Sequence, residues 1–578
     1  MRRILKQAFF IGLFITTIQC ANQTAPTGGP KDEDPPELVT SNPTNGELNV
    51  STKIITLEFN EYIKANNAKE QIIITPRLSQ EYEVNVRKNK LLIELSEPLS
   101  DSTTYTINIR EGVKDITENN PPDNLKIAFS TGSYLDSLSI TGIVNDQLLN
   151  KLVDDFSIYL YDASDTIDFF NGPPLYLTKT NEQGEYILEN LKSGTYNLFA
   201  LKDKNNNFIA DVKSETYGFY SSPIVLDSSH SNVDFTIQKL DVRPIEQISA
   251  RQNGTTYEIK YNKNLKSYHL QFIDSVQIFS AFTDQYQNSI RIYNPQNIQD
   301  SLLTFLHITD SVDYQHTDTL FVKFEETSRS PLDFNTTSTL DKIVVNEPIV
   351  KSTLTFTKPV AQLNPDSLYV YIDSLTIIRP DSSHISWNYS KDKLEINMPL
   401  DPNLFATKSE TDKPPASAPN KKLVKPDTLS TTDSTQQKPP KPELKPHLYF
   451  GHGTFISPEA DTAQIIKKDL SFTKPDAYGT ILVEVETSQT SYIIQLLNKN
   501  NEVVDSKINP KNFSFTNVTP GDYKLRVLID SNKNGKWDPG NILEKKDPEP
   551  VIFYLNSEEK DLLTIRANWE LGPNIIKF

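Results

Sequence analysis

The chain has 578 residues, with 58 Lys and Arg against 75 Asp and Glu, which gives a net charge of −17. Such an acidic chain argues against a nucleic-acid partner, because binding to phosphates requires a basic surface. At roughly 100–150 residues per domain, the length predicts four or five domains. The 28 Phe, 25 Tyr and 37 Pro, against 2 Met, favour strands and turns over helices.

Residues 1–19 predict an export signal peptide, since positive residues precede an apolar run at 8–18 that is too short to span a bilayer. Cys20 closes this run and is the single cysteine of the chain, so it has no partner for an internal disulfide. We expect cleavage before Cys20 and its acylation, although Gln19 stands where Gly, Ala or Ser is usual. The alternative is an ordinary signal peptide with a chance cysteine. The small polar and Pro/Gly-rich stretch at 20–35 predicts a flexible tether.

Beyond residue 35 the pattern is that of half-buried strands. Ile55, Leu57 and Phe59 alternate with Thr56 and Glu58, and similar runs recur between short clusters of Asn, Asp, Gly and Pro. This pattern predicts an all-β chain of tandem β-sandwiches.

Two segments of the chain repeat without a gap, 184–208 and 511–535. The matched pairs include Gly194 and Gly521, Tyr196 and Tyr523, and Asp203 and Asp530. A weaker repeat relates 55–63 to 352–360. We therefore divide the chain into module A (36–132), module B (133–239), region C (240–345), module A′ (346–475) and module B′ (476–578).

Within module A′, residues 405–446 are rich in Pro, Lys, Ser and Thr and almost free of aromatic residues. Such a stretch buries too little apolar surface to offset its chain entropy, so it predicts a disordered insert inside the domain.

Modules A and B each resemble a known family of domains. Module A, with "PPELVTSNPTNGELNV", "ITLEFNEYI" and "KIAFSTG", resembles the bacterial Ig-like domain of the surface-layer type. Module B, with "GEYILENLKSGTYNLFALKD", resembles the transthyretin-like, carboxypeptidase-regulatory-like β-sandwich. The signal, Cys20, the "TGGPKDEDPP" tether and module A together resemble the Ig-like-domain lipoproteins of Bacteroidota. The resemblance implies a palmitate-type anchor on Cys20 in the outer membrane, facing either the periplasm or the exterior.

One loop after a strand of module B′ resembles the first part of a calcium loop, with oxygen side chains at positions 1, 3, 5 and 9 and Gly535 at position 6. The predicted metal positions are Asp530, Asn532, Asn534, Lys536 and Asp538. Asn541 stands where an acidic ligand is expected, and Glu544 or Asp547 are candidates to replace it. The alternative is a hairpin turn held by Asn and Asp. Any calcium would be structural, and no other cofactor is expected.

The triplet Asp-Ser/Thr-apolar recurs along the chain and, by the same resemblance, is an O-glycan acceptor pattern. The acceptor residues are Ser137, Ser275, Ser301, Ser311, Ser367, Ser374 and Thr428. The alternative, compatible with glycosylation, is that each Asp caps a turn before a strand.

The chain contains no "GxSxG", "HExxH", P-loop or dinucleotide motif, so we expect no enzyme activity. The leading hypothesis is a non-catalytic envelope lipoprotein that acts as a structural or binding scaffold. One alternative is an accessory subunit of an outer-membrane assembly, secretion or import complex with a β-barrel partner. The other is a carbohydrate-binding surface protein, for which Trp387, Trp537 and Trp569 lie far apart in the sequence.

Overall fold

The computed structural model describes residues 34–273, 278–283, 287–404 and 445–578. These residues form 45 strands, and their α-helix is the single turn α1, Ala68–Gln71. The predicted all-β fold of tandem sandwiches is confirmed. Within the described ranges, no helix has the length and apolarity needed to cross a bilayer. The signal peptide, Cys20 and most of the tether and of the insert lie outside these ranges.

Module A is a sandwich whose inner residues are those that the alternation predicts. Its strands β1 to β9 span, in order, Leu38–Asn42, Ile54–Phe59, Ile63–Ala65, Ile73–Thr75, Tyr82–Arg87, Lys90–Leu95, Thr104–Asn108, Val113–Asp115 and Lys126–Ser130. One sheet has the order β1-β2-β6-β5, a second has β4-β7-β9, and β3 pairs with β8. Ile55, Leu57 and Phe59 are buried and share a core with Ile107 and Phe129 of the second sheet.

Module B has two sheets of different extent. Its strands β10 to β18 span Leu138–Asp146, Lys151–Leu152, Ser157–Asp162, Tyr176–Lys179, Glu185–Leu191, Gly194–Leu201, Tyr217–Phe219, Ile224–Leu226 and Phe235–Thr236. The first sheet is β11-β10-β14, with β18 parallel to β10, and the second is β13-β12-β15-β16, with β17 beside β15. Ile140 and Leu188 from the first sheet meet Ile158 and Leu198 from the second in one core.

Region C, whose fold the sequence left unassigned, also places two sheets around one core. Its strands β19 to β25 span Gln247–Asn253, Thr256–Tyr261, Leu265–Phe272, Phe279–Phe282, Ser289–Tyr293, Leu302–Asp310 and Gln315–Val322. The sheets are β19-β20-β23-β22 and β21-β24-β25. Ile259 and Ile290 of the first sheet share the core with Leu306 and Val322 of the second.

Module A′ repeats the topology of module A. Its strands β26 to β37 span Thr336–Leu340, Ile343–Val344, Ile349–Phe356, Gln362–Leu363, Leu368–Tyr371, Ile377–Ile378, Ile385–Trp387, Lys393–Pro399, His447–Phe450, Phe455–Ile456, Ile466–Asp469 and Phe472–Thr473. Short 3₁₀ turns occupy Pro365–Ser367, Ser382–His384 and Pro402–Leu404. The sheet β26-β28-β33-β32 corresponds to β1-β2-β6-β5, and β29 pairs with β35 as β3 pairs with β8.

The start of module A′ differs from the predicted boundary at residue 346. Strand β26 pairs with β28, and β27 pairs with β37, so both belong to module A′ rather than to region C. Phe334 and Ile343 accordingly lie in the module A′ core. The alternation of a strand shows which of its faces is buried but not which sheet it joins. The sequence pattern therefore did not locate the boundary between region C and module A′.

Module B′ repeats the topology of module B. A 3₁₀ turn at Pro475–Ala477 precedes strands β38 to β45, which span Gly479–Glu486, Tyr492–Asn498, Val503–Ile508, Asn512–Val518, Gly521–Ile529, Val551–Phe553, Leu563–Ile565 and Glu570–Lys577. Its sheets are β41-β38-β45, with β45 parallel to β38, and β40-β39-β42-β43, with β44 beside β42.

The strand β42 is buried on both faces towards its C-terminal end. Arg526 and Leu528 lie on the face opposite Leu525 and Val527, and all four are buried. The Arg526 guanidinium donates from Nη1 to the Leu148 carbonyl of module B at 2.6 Å. Module B′ therefore folds back onto module B, far from it in the chain, and covers the face that would otherwise meet solvent.

Candidate functional site

The loop that follows β42 is held from inside by Asp530. This carboxylate is buried and accepts hydrogen bonds from the backbone N–H groups of Asn534 (2.9 Å) and Gly535 (3.0 Å) and from the Ser491 hydroxyl (2.9 Å). Burial raises the pKa of Asp530, but these hydrogen bonds outweigh it and hold the pKa below its ordinary value. Gly535 has φ 81°, in the left-handed region that glycine favours. Asp530 thus stabilises the turn in its ionised form.

The remaining predicted metal positions form one polar cluster on this loop. Asn532 and Asn534 both donate side-chain N–H groups to Asp538 Oδ2. Lys536 pairs with the other oxygen of Asp538 at 3.1 Å. Burial raises the pKa of Asp538, but the bonds from Asn532, Lys536 and Asn534 lower it further than burial raises it. The five predicted positions are therefore brought together, and internal hydrogen bonds already use the side-chain oxygens of Asp530, Asn532, Asn534 and Asp538.

Glu549, which sequence reasoning missed, closes the loop. Its Oε1 accepts from Ser531 N at 2.7 Å, and its Oε2 accepts from Asp538 N at 2.9 Å. Glu544 and Asp547, the predicted substitutes for a missing ligand, do not take this place. Asp547 instead accepts a hydrogen bond from Ser221 of module B at 2.9 Å.

Module B carries the same arrangement. Glu215 is buried and accepts hydrogen bonds from Lys204 N at 2.9 Å and from Asp211 N at 2.8 Å. Lys204 aligns with Ser531 inside the gapless repeat, and Asp211 aligns with Asp538 just beyond its end, whereas Glu215 does not align with Glu549. The repeated sequence would have revealed the donors but not the acceptor, because the insertion before Glu549 breaks the alignment.

The equivalent of Asp530 in module B is Asp203. It accepts from Phe208 N at 2.9 Å and from the Tyr159 hydroxyl at 3.0 Å. Burial and the neighbouring Asp203 charge both raise the pKa of Tyr159. Phe208, which stands in the place of Gly535, adopts φ 61°, so the turn keeps its left-handed geometry with a non-glycine residue.

The end of the module B′ loop is used for contact between modules. Gln238 of module B, 7% exposed, donates from Nε2 to the Gly540 carbonyl at 2.8 Å. Ile542 packs against an apolar cluster of module B that includes Tyr217 and is also reached by Val312 of region C. A cleft of 570 Å³ separates the loop from region C. The loop is therefore part of a junction of three domains.

A second junction, between region C and module A′, contains a buried ammonium. Lys358 is inaccessible to solvent and pairs with Glu459 at 2.6 Å and Asp461 at 2.9 Å. Thr255 of region C donates its hydroxyl to Glu459 at 2.6 Å. Burial raises the pKa of Asp461, while its bonds with Ser457 and Lys358 lower it to a net value below the ordinary one.

The predicted glycan acceptors lie at turns next to strands. The exposed ones are Ser137, Ser301, Ser311 and Ser374, and Ser367 is half-buried. Ser275 and Thr428 lie outside the described residues. Asp310 and Asp373 each accept a backbone N–H two residues further on, from Val312 and Leu375 at 2.9 Å. The turn-capping role of these two Asp residues is therefore present beside exposed hydroxyls.

The three tryptophans have different surroundings. Trp387 packs against Phe356 of the module A′ core, with ring centroids 6.0 Å apart. Trp537 donates its indole N–H to the Glu549 carbonyl at 2.7 Å. Trp569 is 50% exposed. Within the described part of the chain, no group of three or more His, Cys, Asp and Glu side chains is arranged to hold a metal ion.

The chain is similar to solved structures that include an S-layer protein, a pilin subunit and a protein of a glucan-utilisation locus. The S-layer protein rSbsC is 11% identical, with 91% of this chain and 67% of that chain covered and a TM-score of 0.13. The major pilin subunit of Bacillus cereus is 12% identical, with coverages of 76% and 98% and a TM-score of 0.14. A glucan-utilisation protein of Bacteroides ovatus, SGBP-B, solved with a mixed-linkage heptasaccharide, is 11% identical, with coverages of 66% and 85% and a TM-score of 0.14. TM-scores this low do not establish a shared arrangement of domains.

A search of curated proteins gave no match. A family model described as the bacterial Ig-like domain matches residues 32–131, the segment that folds as module A. The chain therefore carries a bacterial Ig-like domain as its first β-sandwich.

Proposed function

We propose that this protein is a non-catalytic scaffold of the bacterial cell envelope, held at a membrane by a lipid on Cys20. The observation that carries the proposal is the docking of module B′ onto module B through Gln238 and Gly540 and through Arg526 and Leu148. Loops that make contacts between domains of one chain fix the relative position of those domains, which suits a structural role.

Loops of β-sandwiches commonly carry binding and catalytic groups, because the sheets position them at the ends of the domain. Here, in the loop 530–550, Asp530 and Glu549 accept hydrogen bonds from the loop's own backbone N–H groups, and Ile542 at its far end packs on module B. The buried Lys358 is likewise paired within a domain junction. These groups support a structural role for the sites that sequence reasoning singled out.

The anchor is tested by labelling cells with radioactive palmitate. We expect label on the wild-type protein, recovery in the membrane fraction, and loss of both in Cys20→Ala. A Cys20→Ala protein that is still labelled would contradict lipidation at this residue.

The scaffold role is tested in a deletion strain by quantifying the envelope proteins that are lost or mislocalised. Complementation with the wild-type chain should restore them. Turnover of a glycan or peptide by the purified protein would contradict the proposal. Recovery of a stoichiometric β-barrel protein after mild detergent extraction would instead favour an accessory-subunit role.

A further inference from the structure

An open cleft lies at the junction of modules A′ and B′. It has a volume of 330 Å³ and is lined by residues that include Glu347, Asp476, Tyr478, Asn517, Asn568 and Trp569. Small-molecule sites typically occupy roughly 300–1,000 Å³ and are frequent where two domains meet. The cleft is therefore large enough for a short ligand segment.

Trp569 is fixed in this cleft by its main chain. Its carbonyl accepts from Thr480 N at 2.8 Å, and its N–H donates to the Arg566 carbonyl at 3.2 Å. The Arg566 guanidinium lies 4.7 Å from the ring centroid and covers one face. The residue is nevertheless 50% exposed and lines the cleft. The cleft thus contains a positioned, solvent-facing aromatic surface.

Polar groups surround this aromatic surface. Asn517 of module B′ donates to the Glu347 carboxylate of module A′ at 3.0 Å, so the two walls are bonded to each other. The backbone N–H of Asn568 donates to the Tyr478 carbonyl at 2.7 Å, which holds the main chain of this lining residue in place. Amides both donate and accept hydrogen bonds, and carboxylates accept them, so these walls suit a ligand rich in hydroxyl groups.

The charges in the cleft exclude other ligand classes. Glu347, Asp476 and Glu570 line it, and none of its described lining residues is Lys, Arg or His, so an anionic ligand would be repelled. A cationic ligand stacked on the ring would be repelled by the Arg566 guanidinium, which already lies over the ring. A neutral ligand with an apolar face for the indole and hydroxyl groups for the walls satisfies both limits. We propose that the cleft between modules A′ and B′ binds neutral carbohydrate, with Trp569 as the stacking surface.

The test uses the full chain in detergent and isothermal titration with neutral oligosaccharides, namely cello-, laminari-, xylo- and malto-oligosaccharides. At least one series should bind, and Trp569→Ala should weaken that binding by about tenfold, which corresponds to about 1.4 kcal/mol, because the stacking surface is lost. Trp569→Phe should lie between the two. Tyr314→Ala removes a similarly exposed aromatic of region C and should leave binding unchanged.

Three outcomes would overturn the proposal: no neutral oligosaccharide binds at millimolar concentration, Trp569→Ala binds as well as wild type, or a lysine-rich peptide binds the cleft instead. Melting curves show whether Trp569→Ala is folded, and Asn568→Gly provides a second variant if it is not, because Asn568 has φ 59° and glycine tolerates that backbone. The scaffold role does not depend on this site, because failure of sugar binding leaves the contacts between modules B and B′ unchanged.

Discussion

Gln238 and Gly540 lie 302 positions apart in the chain and share a hydrogen bond of 2.8 Å that is buried between modules B and B′. The Gly540 carbonyl has no access to bulk solvent in this place, since the residue is buried. A single side chain of module B thus satisfies a backbone group of module B′.

Gln238→Ala should therefore weaken the docking of module B′. Leaving a buried carbonyl unsatisfied costs about 1–3 kcal/mol, which should raise hydrogen exchange at the 530–550 loop and speed its proteolysis. Ser221→Ala is the matched control, because its hydroxyl bonds Asp547 at the exposed rim of the same junction. Equal protection in the two variants would show that the buried bond does not hold the modules together.

The buried Lys358 predicts an asymmetric response to mutation. Its ammonium is inaccessible, whereas the side chains of Glu459 and Asp461 are 15% and 39% exposed. Replacing both carboxylates, as Glu459→Gln with Asp461→Asn, leaves a buried charge unpaired. This should lower the free energy of unfolding, measured in urea, by about 3 kcal/mol or more. Lys358→Met should cost less, because water can reach the carboxylates that remain.

Lys393→Met is the control for that series. It breaks an exposed pair with Glu395 at 2.7 Å, in the same module, and should change stability by less than about 1 kcal/mol. If the double carboxylate variant were no less stable than Lys393→Met, the ion cluster would have no structural role.

Asp115 predicts how module A responds to acid. Burial raises its pKa, but backbone N–H groups of Glu118, Asn120 and Asn119 lower it further, so the folded pKa lies below the ordinary value. The stabilisation is therefore complete above the unfolded pKa of about 3.9 and is lost as pH falls through the folded pKa. Asp115→Asn should destabilise module A by about 1–3 kcal/mol at neutral pH.

This difference between wild type and Asp115→Asn should shrink as the pH is lowered below about 3.9. Urea unfolding at a series of pH values, with hydrogen exchange reporting on module A, measures it. A difference that stays constant with pH would mean that the ionised carboxylate is not what stabilises the turn.

Glu549 should stabilise its loop whether or not calcium is present. Glu549→Gln replaces one accepting oxygen by a donor that faces a backbone N–H, which should cost about 1–3 kcal/mol both in chelator and in calcium. The same melting curves test the predicted calcium site. A rise in melting temperature with calcium that Asp538→Ala abolishes would support the site, and no rise would contradict it.

Ser374 is the predicted acceptor with the most open surroundings. It lies in an exposed turn next to Leu375, which is 95% exposed, and Asp373 caps the turn. We expect a glycan at Ser374 in protein purified from its native envelope, detected as added mass on the peptide and lost in Ser374→Ala. Half-buried Ser367 should carry less glycan. An unmodified Ser374 peptide in the native protein would contradict this prediction.

The contribution of the sequence pattern is clearest in module A and in the repeat. Alternation placed Ile55, Leu57 and Phe59 in the core, because a strand with one buried face must repeat every second residue. The gapless repeat likewise anticipated that β42 and its loop have a twin in β15 and the residues after it. These features depend on short stretches of chain, and local residue order encodes them.

The role of Glu549 and the junctions between domains could not be predicted from local residue order. Glu549 reaches the loop through an insertion that breaks the repeat, and β26 joins a sheet whose partner strand lies beyond the predicted boundary. Arg526 is buried, and its guanidinium donates to Leu148, 378 positions away in module B. Local periodicity does not specify which strands pair, which inserted residue reaches a loop or which module covers a polar side chain.

The sequence by itself determined that the chain is a series of β-sandwiches, that two of them are repeated, and which side chains fill their cores. The fold class and the core residues follow mainly from the burial of an alternating apolar face. This alternation can be read within each strand, without knowledge of its neighbours. Only the tertiary structure decided that module B′ docks on module B, that Asp530 and Glu549 accept hydrogen bonds from the backbone of the calcium-like loop, and that Trp569 lines a polar cleft. The docking rests on hydrogen bonds between residues hundreds of positions apart, which exist only once the separate sandwiches have folded and met.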